Sequence, residues 1–320
     1  MNYKLKKISG DASFREFYRL KKGKKKTIIV QAKKEKFKNL ITYIIINKIL
    51  QENKIHAPKL ISNYYEHSII EISDLGEKTF YDAIIKKKKK LKDYKNLIKI
   101  ILKLQKIKVK KNYDFRKYKI KLQKYSLKNL HEESDLFFDW YLKICSKNLN
   151  ISRIKKIFKQ ELNKIYKSLY FKNETFVHRD FHASNIMINK KILGLIDSQD
   201  AIVGNPLYDV ASLIDDVRVK LPNNLQSELL KFYHSTSKLK NEKYQNLKND
   251  YDILSVQRNL KILGIFVRLF KRDNKSTYLK YLPHTWSLIN RRLKNPIFKN
   301  LNFLLKKYLK LKTLKKIKSL

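Results

Sequence analysis

The chain has one cysteine, Cys145, among its 320 residues. A single cysteine excludes a disulfide within the chain and predicts a reducing compartment. Residues 1–7 carry lysines with no apolar stretch behind them, so the sequence predicts no signal peptide. We therefore expect a cytoplasmic protein.

Long hydrophobic runs are missing as well. The longest, at residues 41–50, is interrupted by Asn47 and Lys48 and is too short and too polar to span a bilayer. The sequence thus predicts no transmembrane segment. Hydrophobic residues nevertheless make up 43% of the chain and aromatic residues 12%, which indicates a globular protein long enough for two lobes with cores.

Acidic residues are scarce, with 28 Asp and Glu against 74 Lys and Arg and a formal net charge of +46. Such a charge raises nucleic-acid binding as a possible function. The excess is lysine, however, and it is spread over the whole chain together with few Gly, Pro and Trp, a pattern that AT-rich codons would produce. We expect a solvated surface and no specific nucleic-acid partner. A non-catalytic polyanion binder is the alternative from another functional class.

Residues 1–72 predict a small lobe rich in strands. Runs typical of strands at residues 17–20 and 27–32 flank a polar turn, helical spacing follows at 37–50, and runs at 59–65 and 67–72 predict a hairpin. Gly76 then interrupts the pattern, and we place a hinge at residues 73–78. Residues 79–320 are mostly helical in their apolar spacing. The prediction is an α+β fold with two lobes.

The segment at residues 176–188 carries the strongest functional signal. It places a carboxylate, Asp180, five positions before an amide, Asn185, and a second carboxylate, Asp197, seventeen positions after the first. This spacing is typical of kinase-type phosphoryl transfer, in which one carboxylate deprotonates a hydroxyl while the amide oxygen and the other carboxylate hold Mg²⁺ against nucleotide phosphates. We expect Asp180 to be the catalytic base and Asn185 and Asp197 to be the metal ligands.

Missing motifs narrow the class of acceptor. Only eleven residues separate Asp197 from Asp209, and no Ala-Pro-Glu anchor follows, so the activation segment of protein kinases is absent. There is no Walker A sequence either. A small-molecule acceptor is therefore favoured over a protein.

Six segments together resemble the aminoglycoside phosphotransferase-like kinase superfamily, and within it the bacterial kinases that phosphorylate the anomeric hydroxyl of N-acetylmuramate and N-acetylglucosamine in cell-wall recycling. They lie at residues 9–20, 71–76, 178–185, 194–201, 204–209 and 257–269. The resemblance implies a bilobal protein-kinase-like fold, with a small β-rich N-lobe and a larger, mostly helical C-lobe. It implies ATP and Mg²⁺ as cofactors and an amino sugar as acceptor. Superfamily relatives that act on aminoglycosides, choline or homoserine are the alternatives.

The resemblance also implies nucleotide contacts. Gly10 and Ser13 fall in a turn whose backbone N–H groups could approach phosphates, an ordinary hairpin turn being the alternative. Glu71 and Ile72, just before the hinge, are implied to contact the nucleotide.

Two positions depart from the family pattern. Ser198 stands where the family has an aromatic residue, which we interpret as a packing side chain. The lysine that other kinases carry on the third strand has no counterpart, and Lys33 and Lys34 after that strand are both candidates for reaching the phosphates.

Candidates for contacting the acceptor are Arg258, Arg268 and His182. At about 100° per residue, Arg258, Lys261, Arg268 and Arg272 fall within one sector of roughly 80° on a helix. This face could bind an anionic acceptor such as the muramate carboxylate, or it could pair with carboxylates of the chain itself. His182 could face the acceptor or simply pack.

Overall fold

The computed structural model describes residues 3–8, 15–32, 37–115, 118–145, 150–190 and 192–309. The chain forms two compact units. The first, here called the sheet unit, comprises residues 1–123 and 175–203, and the second, the helical unit, comprises residues 124–174 and 204–320. All three residues of the proposed catalytic set therefore belong to the sheet unit. The lobes at residues 1–72 and 79–320 and the hinge at residues 73–78 stay a prediction.

The sheet unit contains twelve of the strands that the structure describes and three helices. In chain order they are β1 (Tyr3–Ile8), β2 (Glu16–Lys22), β3 (Lys25–Gln31), α1 (Phe37–Glu52), β4 (Leu60–Tyr64), β5 (Ile69–Ser73), β6 (Lys78–Thr79), α2 (Phe80–Ile84), α3 (Leu91–Leu104), β7 (Tyr113–Phe115), β8 (Tyr118–Ile120), β9 (Thr175–Val177), β10 (Ile186–Asn189), β11 (Ile192–Leu195) and β12 (Ile202–Gly204).

A five-stranded antiparallel sheet forms the N-terminal part, with the strand order β1-β2-β3-β5-β4. Thr27, Ile28, Ile29 and Val30 give β3 its β-branched character, which favours a strand. One face of the sheet packs against α1, and the buried residues of this core are Ile28, Val30, Ala32, Leu40, Tyr43, Ile44, Ile70 and Ile72. The sequence-based strands and the helix at 37–50 are confirmed here.

Smaller sheets position the segment at residues 176–188, which is predicted to be catalytic. β10 pairs with β11 and with β6, and β9 pairs with β12. Gly194 in β11 allows a close approach, because a Cβ there would lie 2.8 Å from His56 and from Leu75. The Leu195 N–H donates to the His56 carbonyl at 2.8 Å. These contacts fix the strand that leads to Asp197.

A buried ion pair holds the predicted hinge segment to the sheet. Arg19 on β2 donates to both carboxylate oxygens of Asp74, at 2.6 and 3.2 Å, and to the Gly76 carbonyl at 2.8 Å. The Gly76 N–H in turn donates to Asp74 at 2.8 Å. Gly76 has a φ of +102°, a conformation that favours glycine. The chain is therefore fixed in place where β5 ends.

We predict that Arg19→Met destabilises the sheet unit by roughly 3 kcal/mol, because it leaves the Asp74 carboxylate, which is 6% exposed, buried without its cation. Lys7→Met is the matched control. It breaks an ion pair with Glu16 in which the side chains are 62% and 40% exposed, and such exposed pairs contribute little to stability. Urea unfolding of both variants measures the difference, and equal losses would show that the Arg19 pair contributes no more than a surface pair.

The helical unit contains eight of the α-helices that the structure describes. They are α4 (Leu127–Leu136), α5 (Lys143–Cys145), α6 (Ile151–Lys167), α7 (Leu207–Ile214), α8 (Asn223–Thr236), α9 (Tyr244–Asp273), α10 (Leu282–Arg292) and α11 (Lys299–Tyr308). A π-helical segment, Phe137–Leu142, joins α4 to α5. The longest helix, α9, is largely buried and packs against α4, α7 and α10.

The α+β class predicted from the sequence is confirmed, with a β-sheet in the N-terminal part and a larger, mostly helical remainder. Among the described residues, no helix combines the length and the apolarity that a membrane span requires.

Candidate active site

The segment that carries Asp180 is anchored on both sides by buried rings. β9 enters through Phe176 and Val177, and His178 and Phe181 are both 0% exposed, with their rings 6.0 Å apart. Arg179 has a φ of +76°, a left-handed conformation that costs a non-glycine residue free energy and is common at functional sites. Asp180 itself is half-buried, so part of this residue stays accessible at the surface of the unit.

Hydrogen bonds join Asp180 to Asn185 within one turn. The carbonyl oxygen of Asp180 accepts from the His182 N–H at 3.0 Å and from Nδ2 of Asn185 at 3.1 Å. The Asn185 N–H donates to the His182 carbonyl at 3.0 Å. The bond from Nδ2 orients the amide and turns its Oδ1 away from the Asp180 carbonyl. The side chain of His182 lies against this amide, with Nε2 3.3 Å from Nδ2.

Asp197 is brought to the same place by the hairpin of β10 and β11. The N–H of Ile196 donates to the Asn185 carbonyl at 3.0 Å, so the residue before Asp197 is tied to the residue predicted to share its metal. Asp197 has a φ of +62°. The structure therefore brings Asp180, Asn185 and Asp197 together in one unit.

Electrostatics distinguish the two carboxylates. Burial raises the pKa of Asp197 to about 6, and the nearby charge of Asp180 raises it as well, while the hydrogen bond from Gln199 and the guanidinium of Arg15 act in the opposite direction. A bound cation would lower the pKa of Asp197 again, because a nearby positive charge favours the ionised form of a carboxylate.

The donor chemistry fits Mg²⁺. The site offers a carboxylate at Asp197 and an amide oxygen at Asn185, and both are the hard oxygen ligands that Mg²⁺ prefers. Mg²⁺ usually keeps several waters and takes one or two protein ligands together with substrate phosphates, so two protein donors are enough.

We predict that Asp197→Asn stabilises the protein in the absence of divalent cations. Because the folded pKa of Asp197 is above its ordinary value of 3.8, the ionised form is disfavoured in the fold. The penalty is absent below about pH 3.8, grows as the pH rises to about 6 and is complete above it. At pH 7.5 in EDTA, the free energy of unfolding of the variant should exceed that of the wild type by roughly 1–3 kcal/mol. This difference should shrink at pH 5.

Asp114→Asn is the control, since it removes the same charge at an exposed position on β7 of the sheet unit. Denaturant titrations at pH 7.5 and pH 5 measure the free energies of unfolding of the wild type and of both variants. A variant at Asp197 that is less stable than the wild type at pH 7.5, or whose gain does not depend on pH, would contradict the prediction.

Sequence reasoning assigned no individual role to Gln199, Arg15 or Asn47, and it interpreted position 198 only as a packing side chain. Nε2 of Gln199 donates to Oδ1 of Asp197 at 2.9 Å, and Nη1 of Arg15 donates to Oε1 of Gln199 at 3.0 Å. Ser198, which is 0% exposed, donates to Oδ1 of buried Asn47 on α1 at 2.7 Å. A serine in place of the family's aromatic residue is thus satisfied by a polar partner. The partners of Ser198 and Arg15 are 151 and 184 positions away, so no local pattern could have found them.

The structure describes two of the four residues that are predicted to contact the nucleotide. Glu71 lies half-buried on β5 opposite Ile29, and Ile72 is 4% exposed within the core. Gly10 and Ser13 lie outside the described residues. Lys33 and Lys34, the candidates for reaching the phosphates, lie outside them too.

Two cations on the basic face of α9 form ion pairs with carboxylates of the helical unit, whereas the Nε atom of a third, Arg268, has no hydrogen-bond partner among the described residues. Lys261 forms a 2.9 Å ion pair with buried Glu133, and Arg272 pairs with Asp273. The guanidinium of Arg258, which is 6% exposed, lies over the Tyr208 ring at 5.0 Å.

Arg268 differs from its neighbours on that face. Its Nε atom is buried with no hydrogen-bond partner among the described residues, and burial, followed by the nearby charge of Arg272, lowers the pKa of its guanidinium. A buried donor without a partner costs free energy, and an anionic ligand would relieve this cost.

Comparison with known proteins finds kinases among the relatives of this chain. Two relatives, from Pseudomonas aeruginosa and Pseudomonas putida, are both named N-acetylmuramate/N-acetylglucosamine kinase. The first is 26% identical over 283 residues, covering 86% of this chain and 79% of the relative, and the second is 26% identical over 287 residues, covering 88% and 81%.

Solved structures show the same fold at lower identity. An ethanolamine kinase from Plasmodium vivax matches with a TM-score of 0.63 and 14% identity, covering 90% of this chain and 82% of that one. A spectinomycin phosphotransferase in complex with ADP and spectinomycin matches with a TM-score of 0.59 and 13% identity, covering 90% and 92%. These similarities confirm the predicted protein-kinase-like fold.

The model of the phosphotransferase enzyme family, APH, matches residues 4–245. This range covers the five-stranded sheet and the Asp180, Asn185 and Asp197 constellation. The chain belongs to the phosphotransferase enzyme family and is a kinase.

Proposed function

We propose that this chain is an ATP- and Mg²⁺-dependent kinase that phosphorylates the anomeric hydroxyl of an amino sugar, N-acetylmuramate or N-acetylglucosamine, in cell-wall recycling. The observation that carries the proposal is the similarity to two kinases named for both sugars, which extends over 86% and 88% of the chain. The geometry around Asp180 and Asp197 supports the kinase chemistry.

In this proposal Asp180 is the catalytic base. Its carboxylate accepts the proton of the acceptor hydroxyl and orients the oxygen for attack. Its main-chain carbonyl holds the loop through His182 and Asn185, so loop geometry does not depend on the carboxylate. Asn185 and Asp197 hold Mg²⁺, which would neutralise charge on the transferred phosphoryl group.

Nucleotide binding is assigned to residues around the first sheet. Glu71 and Ile72 on β5 precede the segment held by Arg19 and Asp74, where the adenine would contact the backbone. Gly10 and Ser13 are proposed to contact phosphates through backbone N–H groups.

For the acceptor, we propose that Arg268 or Arg258 holds the carboxylate that distinguishes N-acetylmuramate from N-acetylglucosamine, and that His182 contacts the sugar. The unpaired buried Nε of Arg268 favours it over Arg258, whose guanidinium already lies over Tyr208. Arginine suits this role because its planar guanidinium matches a carboxylate with two parallel hydrogen bonds.

An ATP-consumption screen tests the acceptor. It compares N-acetylmuramate, N-acetylglucosamine, choline, homoserine and kanamycin with Mg²⁺ present. We expect turnover of the two amino sugars, and Arg268→Met should raise KM for N-acetylmuramate more than for N-acetylglucosamine, which has no carboxylate. Turnover of choline or kanamycin with neither sugar would overturn the acceptor assignment and leave the kinase assignment standing.

The net charge of +46 favours one rival, a polyanion binder. It predicts tight RNA binding with a steep dependence on salt, unchanged in Asp180 and Asp197 variants. The kinase proposal predicts weak association that about 0.2 M salt removes. A fluorescence titration with single-stranded RNA at two salt concentrations separates them.

A further inference from the structure

A cavity of about 490 Å³ lies in the helical unit, between one face of α10 and the loop that joins α7 to α8. Its volume is within the range of roughly 300–1,000 Å³ that is usual for small-molecule sites. None of the residues that line it belongs to the sites proposed above for the nucleotide, the metal or the acceptor. The cavity therefore raises the question of a separate ligand.

One wall of this cavity is formed by α10. Pro283, Ser287 and Arg291 recur at intervals of four residues, which places them on one face of the helix, and His284 lines the cavity beside them. Nη1 of Arg291 donates to Oε1 of Gln226 at 2.7 Å, and Gln226 is 3% exposed. This buried amide orients the guanidinium of Arg291. Because an amide is neutral, the contact does not neutralise the charge of Arg291.

The other wall is the loop at residues 220–222. Leu221 is 3% exposed and packs the loop onto the unit. The turn before it is held by the carboxylate of Asp216, which accepts from the Arg218 N–H at 3.0 Å. Lys220 is exposed and lines the cavity. The loop thus brings a second cation to the cavity.

His284 shares the cavity with both cations. Burial lowers the pKa of its imidazole, and the charges of Lys220 and Arg291 lower it further. Asp215 and Asp216 act in the opposite direction. Nε2 is buried and has no hydrogen-bond partner among the described residues. An anion in the cavity would offset the two positive charges, and it would accept a hydrogen bond from the protonated imidazole.

The two carboxylates that act on His284 have cations of their own. Asp215 accepts from Arg292 at 2.7 and 3.0 Å, and Asp216 lies 3.8 Å from Arg218. Both aspartates are 4% exposed, and neither lines the cavity. The charged groups that line it are therefore basic.

We propose that this cavity binds the phosphate group of a small molecule. Lys220 and Arg291 hold the phosphate oxygens together with the hydroxyl of Ser287. A phosphate monoester offers three acceptor oxygens and a charge of about −1.5 to −2 at pH 7, so it suits two cations and a hydroxyl better than a carboxylate does. Pro222 and Pro283 supply apolar surface for the rest of the ligand. This site is independent of the proposed function, since it involves neither ATP nor the acceptor.

NMR spectra of the full-length protein labelled with ¹³C-histidine test the proposal. The chain has seven histidines, and His284→Asn assigns the signal of His284. The wild type is titrated with inorganic phosphate, with glucose 6-phosphate and with glucose at constant ionic strength. We expect both phosphates to shift the His284 signal to saturation and to raise the pKa of His284, and glucose to leave it unchanged. Tighter binding of the ester would assign the ligand to a sugar phosphate, and equal binding would assign it to phosphate itself.

Lys220→Met and Arg291→Met should each weaken phosphate binding by about 5- to 10-fold, because each removes a charge-assisted hydrogen bond. Lys220→Met should also raise the pKa of His284 before any phosphate is added, since a nearby positive charge is lost. This variant keeps the test valid if Arg291→Met unfolds, because Lys220 is exposed. Lys299→Met is the matched control. It removes one positive charge at an exposed position on α11 and should change neither phosphate binding nor the pKa of His284.

Two results would overturn the inference. One is a His284 signal that neither phosphate shifts. The other is an equal loss of phosphate binding in Lys220→Met and Lys299→Met, which would mean that a basic protein attracts phosphate without a specific site. A wild type that phosphorylates amino sugars while its His284 signal stays unchanged would defeat this inference alone. An inactive wild type whose His284 signal responds to phosphate would defeat only the proposed function.

Discussion

Asp180→Asn should lower kcat by about 10²–10⁴-fold, the usual contribution of a positioned general base, and leave nucleotide affinity nearly intact. The main-chain carbonyl of Asp180 accepts hydrogen bonds from the His182 N–H and from Nδ2 of Asn185, so an asparagine preserves the turn that carries Asn185. The charge of Asp180 raises the pKa of Asp197. Its removal therefore eases ionisation of the metal ligand, and binding of Mg²⁺ and nucleotide should not suffer.

Steady-state kinetics with N-acetylmuramate and calorimetry with ATP measure the two effects separately. Glu174→Gln is the control, because it neutralises an exposed carboxylate just before β9 and should leave kcat unchanged. Wild-type turnover in Asp180→Asn would remove this residue from the catalytic role. A parallel loss of nucleotide affinity would mean that the substitution disrupts the loop.

Gly264→Ala should destabilise the helical unit by about 3 kcal/mol or more, the upper range for overpacking a core. A Cβ on Gly264 would lie 2.2 Å from the carbonyl oxygen of Leu136 and 2.3 Å from its carbonyl carbon. Because both atoms are backbone, no change of rotamer relieves the clash, and α9 and α4 would have to move apart. A loss of stability would be informative, because Gly→Ala within a helix ordinarily stabilises the helix by up to about 1 kcal/mol.

Guanidinium unfolding followed by circular dichroism measures this loss, with Lys271→Ala, an exposed position on the same helix, as the control. The control should change the free energy of unfolding by less than about 0.5 kcal/mol. A Gly264→Ala protein as stable as the wild type would contradict the close crossing of the two helices.

The central constellation could be predicted because its members are close in sequence. Asp180, Asn185 and Asp197 lie within eighteen residues, between short apolar runs that form β9, β10 and β11. Motif spacing and strand pattern are both local properties of the chain, so they could be recognised from the amino-acid sequence alone. The interruption of the strand pattern at Gly76 was local for the same reason, since it depends on one residue, which has a positive φ.

Long-range partners could not be predicted. Helical spacing placed Lys261 correctly on a basic face of α9, yet its partner Glu133 is 128 positions away. Arg15 likewise stood in a recognised segment, but only the structure links it to Gln199. In a chain with 74 lysines and arginines, composition cannot distinguish a buried cation with a role from a solvated one.

β1, one of several strands that were not predicted from the sequence, looks unlike a core strand. β1 alternates apolar residues with lysines, and the side chains described from Lys4 to Lys7 are exposed. Among the described strands it pairs with β2 alone, which makes it an edge strand, and lysines on such a strand discourage pairing with other chains. The position of β1 at the edge of the sheet therefore explains why its sequence is rich in lysine.

Identification of the reaction product by ³¹P NMR tests the central claim most directly. The wild-type protein is incubated with ATP and N-acetylmuramate or N-acetylglucosamine, with Mg²⁺ or with EDTA, beside Asp180→Asn. We predict that a sugar phosphate forms whose phosphorus couples to the anomeric proton, with Mg²⁺ and the wild-type protein only. Phosphate on any other hydroxyl of the sugar, or no sugar phosphate from either substrate while ATP binds, would contradict the account.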